Sequence, residues 1–486
     1  SLMSIGSTNL SLPGLSGFDF SAIVQAMVNN YSQPLNKMQE QQSVLQTKKD
    51  AWRDVNTRLS SLEKTLEKLR DSSTWAGTKA SSSKPDILAV SSTSGTTQGT
   101  YNIKVVQMAV AQTAVSKTIE VADPASSTAV SAGSFVIQVG DKTAEISIKS
   151  GDSLEEIAKA INNSKIGVSV SAIKVDGGYK IALLSAETGL EKAASFSELN
   201  GGSVLHDLGI LRDDQSLNIS QQAKDAKLEI NGITQITSAE NKITTAVPGL
   251  TLTINDEAVD TTVTVKVSAD YSGAESTVKS FVDQYNSVMS FIEGKLKYDK
   301  DLKTKGDLFA DPALQSIQSR LRTMVSSNLN NPSEPFKILA DVGLTTSGDN
   351  FGKSATLSFD TAKFNEALTE NASSVANLFG AAAGGVEPHR ESTQSQGAQG
   401  LGNILYEYLR PLVRYEGTLD KTSKGYDKQL TDLKDKMADF TERVERYAET
   451  TRLKFVRLET QLASLSSQSE WLQGQIDSMN AFYKNK

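Results

Sequence analysis

The chain carries two histidines and no cysteine, so few side chains on it can do chemistry. His206 lies in SVLHDLGI beside Asp207, and His389 lies in VEPHRES. A Ser-His-Asp site needs an imidazole held by an acid against a nucleophile. Adjacency of His206 and Asp207 along the chain does not supply that geometry, and neither histidine is assigned a catalytic role. The paired carboxylates Asp213-Asp214 and Glu155-Glu156 are read as solvated surface. YDKDLKTKGD offers Asp299, Asp301 and a glycine, but its spacing departs from a calcium-binding EF-hand loop and reads as a turn. No phosphate-binding or dinucleotide-binding glycine loop is present. Asn371-Ala372-Ser373 matches a glycan-acceptor triplet, a match common by chance. Without cysteine, disulfides, thiolate metal sites and cysteine nucleophiles are excluded. The expectation is no enzyme: no catalytic residue, no cofactor and no metal.

With chemistry so poorly represented, interaction surfaces must carry the function. The chain has 486 residues, 22% of them charged, with a formal net charge of -7. That length suggests about three domains. The acidic balance argues against an electrostatic nucleic-acid binder. No apolar run is long enough to span a bilayer, so no membrane insertion is expected. Absence of cysteine suits a protein exported unfolded, in which stray thiols could mispair.

The first periodic stretch is LPGLSGFDFSAIVQAMV, where Ser16 or Asp19 can cap a helix. Phe20, Ile23, Val24, Met27, Val28 and Tyr31 then form one apolar stripe. Nothing about the stretch resembles a cleaved secretory signal. Helix is expected from 19 to 70, broken near Gln33 by Pro34. From Val55 through Leu59, Leu62, Leu66 and Leu69 the spacing is that of a coiled coil.

The pattern changes to β at DSSTWAGTKASSSKPD and stays so to about 268. Tyr101, Ile103 and Val105 alternate, as do Phe135, Ile137 and Val139, then Tyr179, Ile181 and Leu183. Leu250, Leu252 and Ile254 follow, and Val263, Val265 and Val267 close the series. Asp176-Gly177 and Asn231-Gly232 supply turns. One helix interrupts, with Ser153 and Glu156 as a capping box and Leu154, Ile157, Ala158 and Ile161 on one face. Helix returns after 270, with Val278, Phe281, Val282, Tyr285, Val288 and Met289 as its stripe. A second begins at Asp311-Pro312, and a strand leads through the cap Asp360 into a third. Residues 381–400 have no periodicity and read as a flexible loop.

The most regular stretch is the last. Tyr426, Leu430, Leu433, Met437, Phe440, Val444, Tyr447, Thr451, Phe455, Leu458, Leu462, Leu465, Ser469, Leu472, Ile476, Met479 and Tyr483 step by 4 and 3, with one stutter at Thr451. A helix over 426–483 would be roughly 85 Å long and cannot bury its seam within one compact domain. It must pair with something, and the N-terminal stripe is the first candidate. Other subunits would cover what remains.

These motifs, in this order, resemble the bacterial flagellar filament cap proteins, the hook-associated protein 2 family. PGLSGFDFSAIVQAMV and PLNKMQEQQSVLQTKKDAWRDVNTRLSSLEKTLEKL resemble the family's opening helices. KLEINGITQITSAENKITTAVPGLTLTI resembles its β-domain. FVDQYNSVMSFI, VGLTTSG, ATLSFDTAKFNEAL and LKFVRLETQLASLSSQSEWLQGQI resemble its C-terminal half. The stretch near 131–215 is the least diagnostic.

The resemblance implies an α+β, discontinuous multidomain chain. Residues 1–40 and 441–486 would form a terminal coiled-coil leg, and 41–75 with 269–440 a helical body. Residues 76–130 and 216–268 would form a β-domain, and 131–215 a distal inserted β-rich domain, together a β-rich head. It implies a homo-oligomeric ring, commonly a pentamer, at the filament tip, under which exported flagellin folds and inserts. Flagellin and the hook–filament junction protein would be its partners, with a cytoplasmic export chaperone on the C-terminal helix. Its location would be extracellular, at the flagellum tip, reached by the flagellar type III system without a cleaved signal peptide. The expected partner-binding residues are Phe20, Ile23, Val24, Met27, Tyr31, Leu465, Leu472, Ile476, Met479 and Tyr483. Two alternatives stay open: another axial component, either flagellin or the junction protein, and a surface adhesin whose head binds host mucin or glycan.

Overall fold

A computed structural model describes residues 19–346, 356–381 and 398–484. The chain is α+β. Among these residues the helices are α1 (Ser21–Tyr31), α2 (Gln33–Arg70), the single turn α3 (Ser72–Trp75), α4 (Leu154–Ser164), the single turn α5 (Val204–Asp207), α6 (Ser272–Leu296), α7 (Pro312–Ser326), α8 (Thr361–Leu378), α9 (Leu401–Val413) and α10 (Thr418–Lys484). The chain divides into two compact units, one of residues 1–72 with 275–486, the other of residues 73–274.

The first unit is helical. α1 stops at Tyr31 and α2 starts at Gln33, with Pro34 in its first turn. Proline there costs nothing, because the first N–H groups of a helix have no intrahelical partner. The Val55, Leu59, Leu62, Leu66 and Leu69 seam of α2 is fully or almost fully buried. The Arg58 guanidinium donates to the Ser287 hydroxyl on α6 at 2.6 Å and lies 4.4 Å from the Phe291 ring centroid. The expected stripe of α6 is entirely buried. α9 crosses α2 closely: a Cβ at Gly402 would meet Arg70 Cγ and Phe379 O, each at 2.7 Å. Arg70 is thereby buried, donating through Nε to Asn403 Oδ1 at 2.8 Å.

α7 and α8 begin as their sequences dictate. Asp311 accepts from the N–H groups of Ala313 and Leu314 with Pro312 behind it, and Asp360 accepts from that of Lys363. Of the expected flexible loop 381–400, residues 382–397 lie outside the described residues. Its C-terminal end is held, since Gly400 N–H donates to Leu329 O at 2.7 Å.

Tyr285 in α6 is fully buried, and its hydroxyl has no hydrogen-bond partner among the described residues. Burial pushes its ionisation well above the usual phenol range. Desolvating a hydroxyl without return costs about 1–3 kcal/mol. Tyr285→Phe is therefore expected to raise the stability of the helical unit by about 1 kcal/mol. A higher urea midpoint for the helical signal would show it, and a lower one would mean that the hydroxyl has a partner.

The second unit holds most of the β-structure, around two hydrophobic clusters. Among the described residues the first has only two short antiparallel strand pairs, Tyr298–Asp299 with Thr304–Lys305 and Leu344–Thr346 with Leu357–Phe359. A five-stranded antiparallel sheet runs in the order Thr78–Ser82, Ala258–Ala269, Gly99–Gln107, Ala226–Ile230, Ile233–Ser238. A three-stranded sheet of Lys242–Val247, Leu250–Ile254 and Leu88–Ser92 contributes to the same cluster, in which Ile103, Val105, Leu228, Leu252, Val263 and Val265 are fully buried. The other cluster joins a four-stranded sheet, a three-stranded sheet built on Gly133–Val139, and α4. Phe135, Ile137, Leu154, Ile157, Ile161 and Ile181 fill it. The capping box of α4 is formed: Ser153 accepts from Glu156 N–H at 3.2 Å while Glu156 accepts from Ser153 N–H at 2.8 Å.

Candidate functional site

The residues that chemistry would need are used as structural ties. Glu198 Oε1 accepts from the backbone N–H groups of Leu205 and His206 at 2.6 and 3.2 Å and lies 3.4 Å from His206 Nδ1. Asp207 turns away, accepting from Ser131 N–H at 2.9 Å and from the Ser203 hydroxyl at 3.3 Å. The Asp207 carboxylate thus braces a turn and has no hydrogen bond to the imidazole. Asp214 accepts from Ser216 N–H, while Asp213 and Glu155 are exposed. Asp299 accepts from the N–H groups of Asp301 and Leu302, both at 3.0 Å, which closes a hairpin turn. Asn371 sits at a non-helical kink in α8, its amide donating to Glu334 O and accepting from Ser374 N–H. His389 lies outside the described residues. Among the described residues no cluster of three or more acids and histidines is placed to hold a metal ion.

What the helical unit does gather is an apolar seam between the two ends of the chain. Val24, Val28 and Leu35 cluster with Leu433, Met437, Phe440, Val444 and Ala448 of α10. Tyr31 stacks on Tyr447 at 4.1 Å between ring centroids, 10° from parallel, and the Phe20 and Phe455 rings are 5.6 Å apart. Lys49 of α2 pairs with Asp427 of α10. Asp19 accepts from Ser21 N–H at 2.9 Å, which opens α1 and holds the Asp19 carboxyl below its usual range. Ser16, the other candidate cap, lies outside the described residues.

The structure corrects the seam in two places. The stutter falls one step earlier than the apolar pattern suggests: Val444, Ala448 and Thr451 are buried, whereas Tyr447 is half-buried. Tyr447 still packs against the seam, its ring stacked on Tyr31, while the small Ala448 beside it is the fully buried residue. The N-terminal stripe is also split. Val24 and Val28 face α10, but Ile23, Met27 and Tyr31 remain exposed.

Leu462 is half-buried, and from Leu465 onward the seam residues are exposed. Leu465 is 60% exposed, Leu472 53%, Ile476 49%, Met479 59% and Tyr483 76%. Trp471 and Phe482, which the seam pattern did not include, are exposed as well. The polar side of the same stretch is unusual. From 461 to 484 the charged residues are Glu470, Asp477 and Lys484 alone, the rest being Ser, Gln, Asn, Gly and apolar residues. Interfaces are depleted of charge and enriched in aromatic residues and methionine. A solvated helix face normally carries charge instead. No helix of the described residues is long and apolar enough to cross a membrane.

Three family models match the chain in order: the flagellar hook-associated protein 2 N-terminus over 16–112, the flagellin hook IN motif over 134–187, and the flagellar hook-associated protein 2 C-terminus over 223–467. The middle match falls in the stretch that the sequence left least diagnostic. Flagellar hook-associated protein 2 of Escherichia coli K12 is 28% identical over 475 residues, 95% of this chain and 97% of that protein. B-type flagellar hook-associated protein 2 of Pseudomonas aeruginosa PAO1 is 25% identical over 89% and 90% of the two chains. The D1-D2-D3 domains of the flagellar cap protein FliD of Escherichia coli superpose with a TM-score of 0.63 at 27% identity, covering 78% of this chain and 99% of that one.

The fold, the apolar seam and these likenesses define a structural protein that caps the flagellar filament. The chain belongs to the flagellar hook-associated protein 2 family.

Proposed function

We propose that this protein forms an oligomeric ring, five subunits in number, at the filament tip and promotes folding and insertion of exported flagellin beneath it. The observation that carries this is the bare, charge-poor seam of α10 from Leu465 to Tyr483. Burying a side chain of that size contributes about 1.5–3 kcal/mol, which stays unrealised until another chain arrives. Ile23, Met27 and Tyr31, exposed on α1, are assigned to partner binding with that seam, whereas Phe20 packs on Phe455 and Val24, expected there too, is fully buried against α10 and ties the two ends together instead. In this reading 1–40 with 441–486 is the leg and 41–75 with 269–440 the body. Residues 76–130 with 216–268, and the insert 131–215, form the head. Flagellin and the hook–filament junction protein are the partners, and the flagellar type III apparatus exports the chain to the tip. A cap-deficient strain supplied with this chain and its own flagellin should regain filaments. Flagellin shed as monomer despite export of the protein would overturn the reading.

Before export the same residues are an aggregation hazard, and a cytoplasmic chaperone would relieve it. Leu472, Ile476, Met479 and Tyr483 present the spacing that helix-in-groove recognition reads. Replacing Ile476 and Met479 by Asp is expected to abolish chaperone capture. The β-unit, which none of these residues builds, keeps its circular dichroism. Capture retained by the double variant would refute the assignment.

A further inference from the structure

The helical unit carries a second exposed apolar feature, away from the seam. The hairpin after α6 pairs Tyr298–Asp299 with Thr304–Lys305. Asp299 closes its turn through the Asp301 and Leu302 N–H groups, which leaves Leu302 at the tip, 72% exposed. Behind it the rings of Tyr298 and Phe309, both exposed, are 6.0 Å apart, and Lys305 Nζ lies 5.2 Å from the Phe309 centroid. Lys300 and Lys303 flank the tip, exposed and without an ion pair among the described residues. Asp299 and Asp301 are both anionic, but Lys297, Lys300, Lys303 and Lys305 outnumber them four to two, which leaves the hairpin a net charge of +2. The hairpin is an apolar knob in a basic collar.

α8 carries the complement. Ala362, Asn365, Glu366, Thr369 and Glu370 line a shallow cavity of about 480 Å³. Glu366 and Glu370 are exposed one helical turn apart and have no ion pair among the described residues. Two uncompensated carboxylates four residues apart repel each other, and a bridging cation would relieve this. One molecule cannot bring knob and cavity together. Asn365 donates to Glu275 in the first turn of α6, whereas the hairpin leaves the last turn of that helix. The helix between holds them roughly 30 Å apart.

We propose that the hairpin of one copy docks on the acidic face of α8 of the next copy, with Leu302 seated between the Glu366 and Glu370 turns and Lys300 and Lys303 beside the two carboxylates. Two different patches meeting head to tail make a heterologous contact, the kind that closes into rings. The inference rests on the oligomeric reading above and names the surfaces that set it.

The test is sedimentation velocity of the full chain over a range of concentration and salt. Lys300→Glu with Lys303→Glu is expected to weaken association about tenfold or more, since like charges then face each other. Glu366→Lys with Glu370→Lys does the same, and all four changes together restore assembly. All these side chains are exposed, so circular dichroism and the thermal midpoint should not move. Wild-type association should also fall with salt. A lysine-reversed chain that associates like wild type would overturn the contact, as would failure of the fourfold variant to recover. Reversed chains that form rings but leave the filament uncapped would assign the hairpin to flagellin and also overturn it. A wild-type chain monomeric at every concentration would overturn the oligomeric reading itself, and the contact with it.

Discussion

A chain lacking residues 1–33 and 465–486 is expected to fold and to fail as a cap. The deletion removes α1 and the last turns of α10. It leaves the buried seam of α2 from Val55 to Leu69, the stripe of α6 and both β-clusters. The local cost is real: without Val24 and Val28, part of the Phe440 and Val444 surface is uncovered. The cores that remain are large enough to hold the body together. What disappears is Leu465, Leu472, Ile476, Met479 and Tyr483, bare in the single chain. Each is worth about 1.5–3 kcal/mol once buried in an assembly. The cost of association takes back a large share, but the deficit per subunit still exceeds a marginal contact. In a cap-deficient strain the truncated, exported protein should leave cells without filaments and flagellin monomer in the medium. Filaments of normal length would show that these ends are not what holds the tip.

Much of this arrangement is legible in the sequence because it depends on local periodicity. The α10 seam, the break before Pro34, the capping box at Ser153 and the caps at Asp311 and Asp360 are each set by residues a few positions apart. What escaped was decided by distant partners. Thr78–Ser82 and Leu88–Ser92 fall inside the span read as β, but they are rich in serine and lack a clear alternation, so their bounds went unread; they are strands because Ala258–Ala269 and Leu250–Ile254 pair with them. Tertiary pairing overrides a weak β-propensity. α9 went unread, although Leu401, Leu405 and Leu409 are spaced by four residues and fully buried. Pro411 in its last turn disguised it. The apolar pattern did not include Ala448, which is fully buried in the seam beside the half-buried Tyr447. Nor could it tell that Val24 would be covered while Ile23 stayed bare, because that needs the crossing of α1 over α10. For the hairpin, the turn at Asp299 was readable, but the exposure of Leu302 was not.

The seam of α10 is continuous in sequence and divided in its surroundings, so one chemical change should have opposite consequences along it. Val444 is fully buried against α1 and α2. An aspartate there would be an uncompensated charge in an apolar contact, which costs several kcal/mol or forces the carboxyl to stay protonated. Val444→Asp is expected to lower stability by about 3–5 kcal/mol, with α1 detaching before the body unfolds. Fast amide exchange from Ala22 to Tyr31 would report that detachment. Leu465→Asp repeats the change at a side chain 60% exposed. In the monomer its effect should stay within about 0.5 kcal/mol, as for other surface substitutions. In the assembly the order reverses. If the filament or a neighbouring subunit covers Leu465, the new carboxylate is buried without a partner and capping is lost from a fully folded chain. Two variants compared for urea midpoint and for filament growth therefore separate the part of the seam that folds the protein from the part that works for it. Equal destabilisation of the monomer by both would mean that 465–484 already has a cover within its own chain.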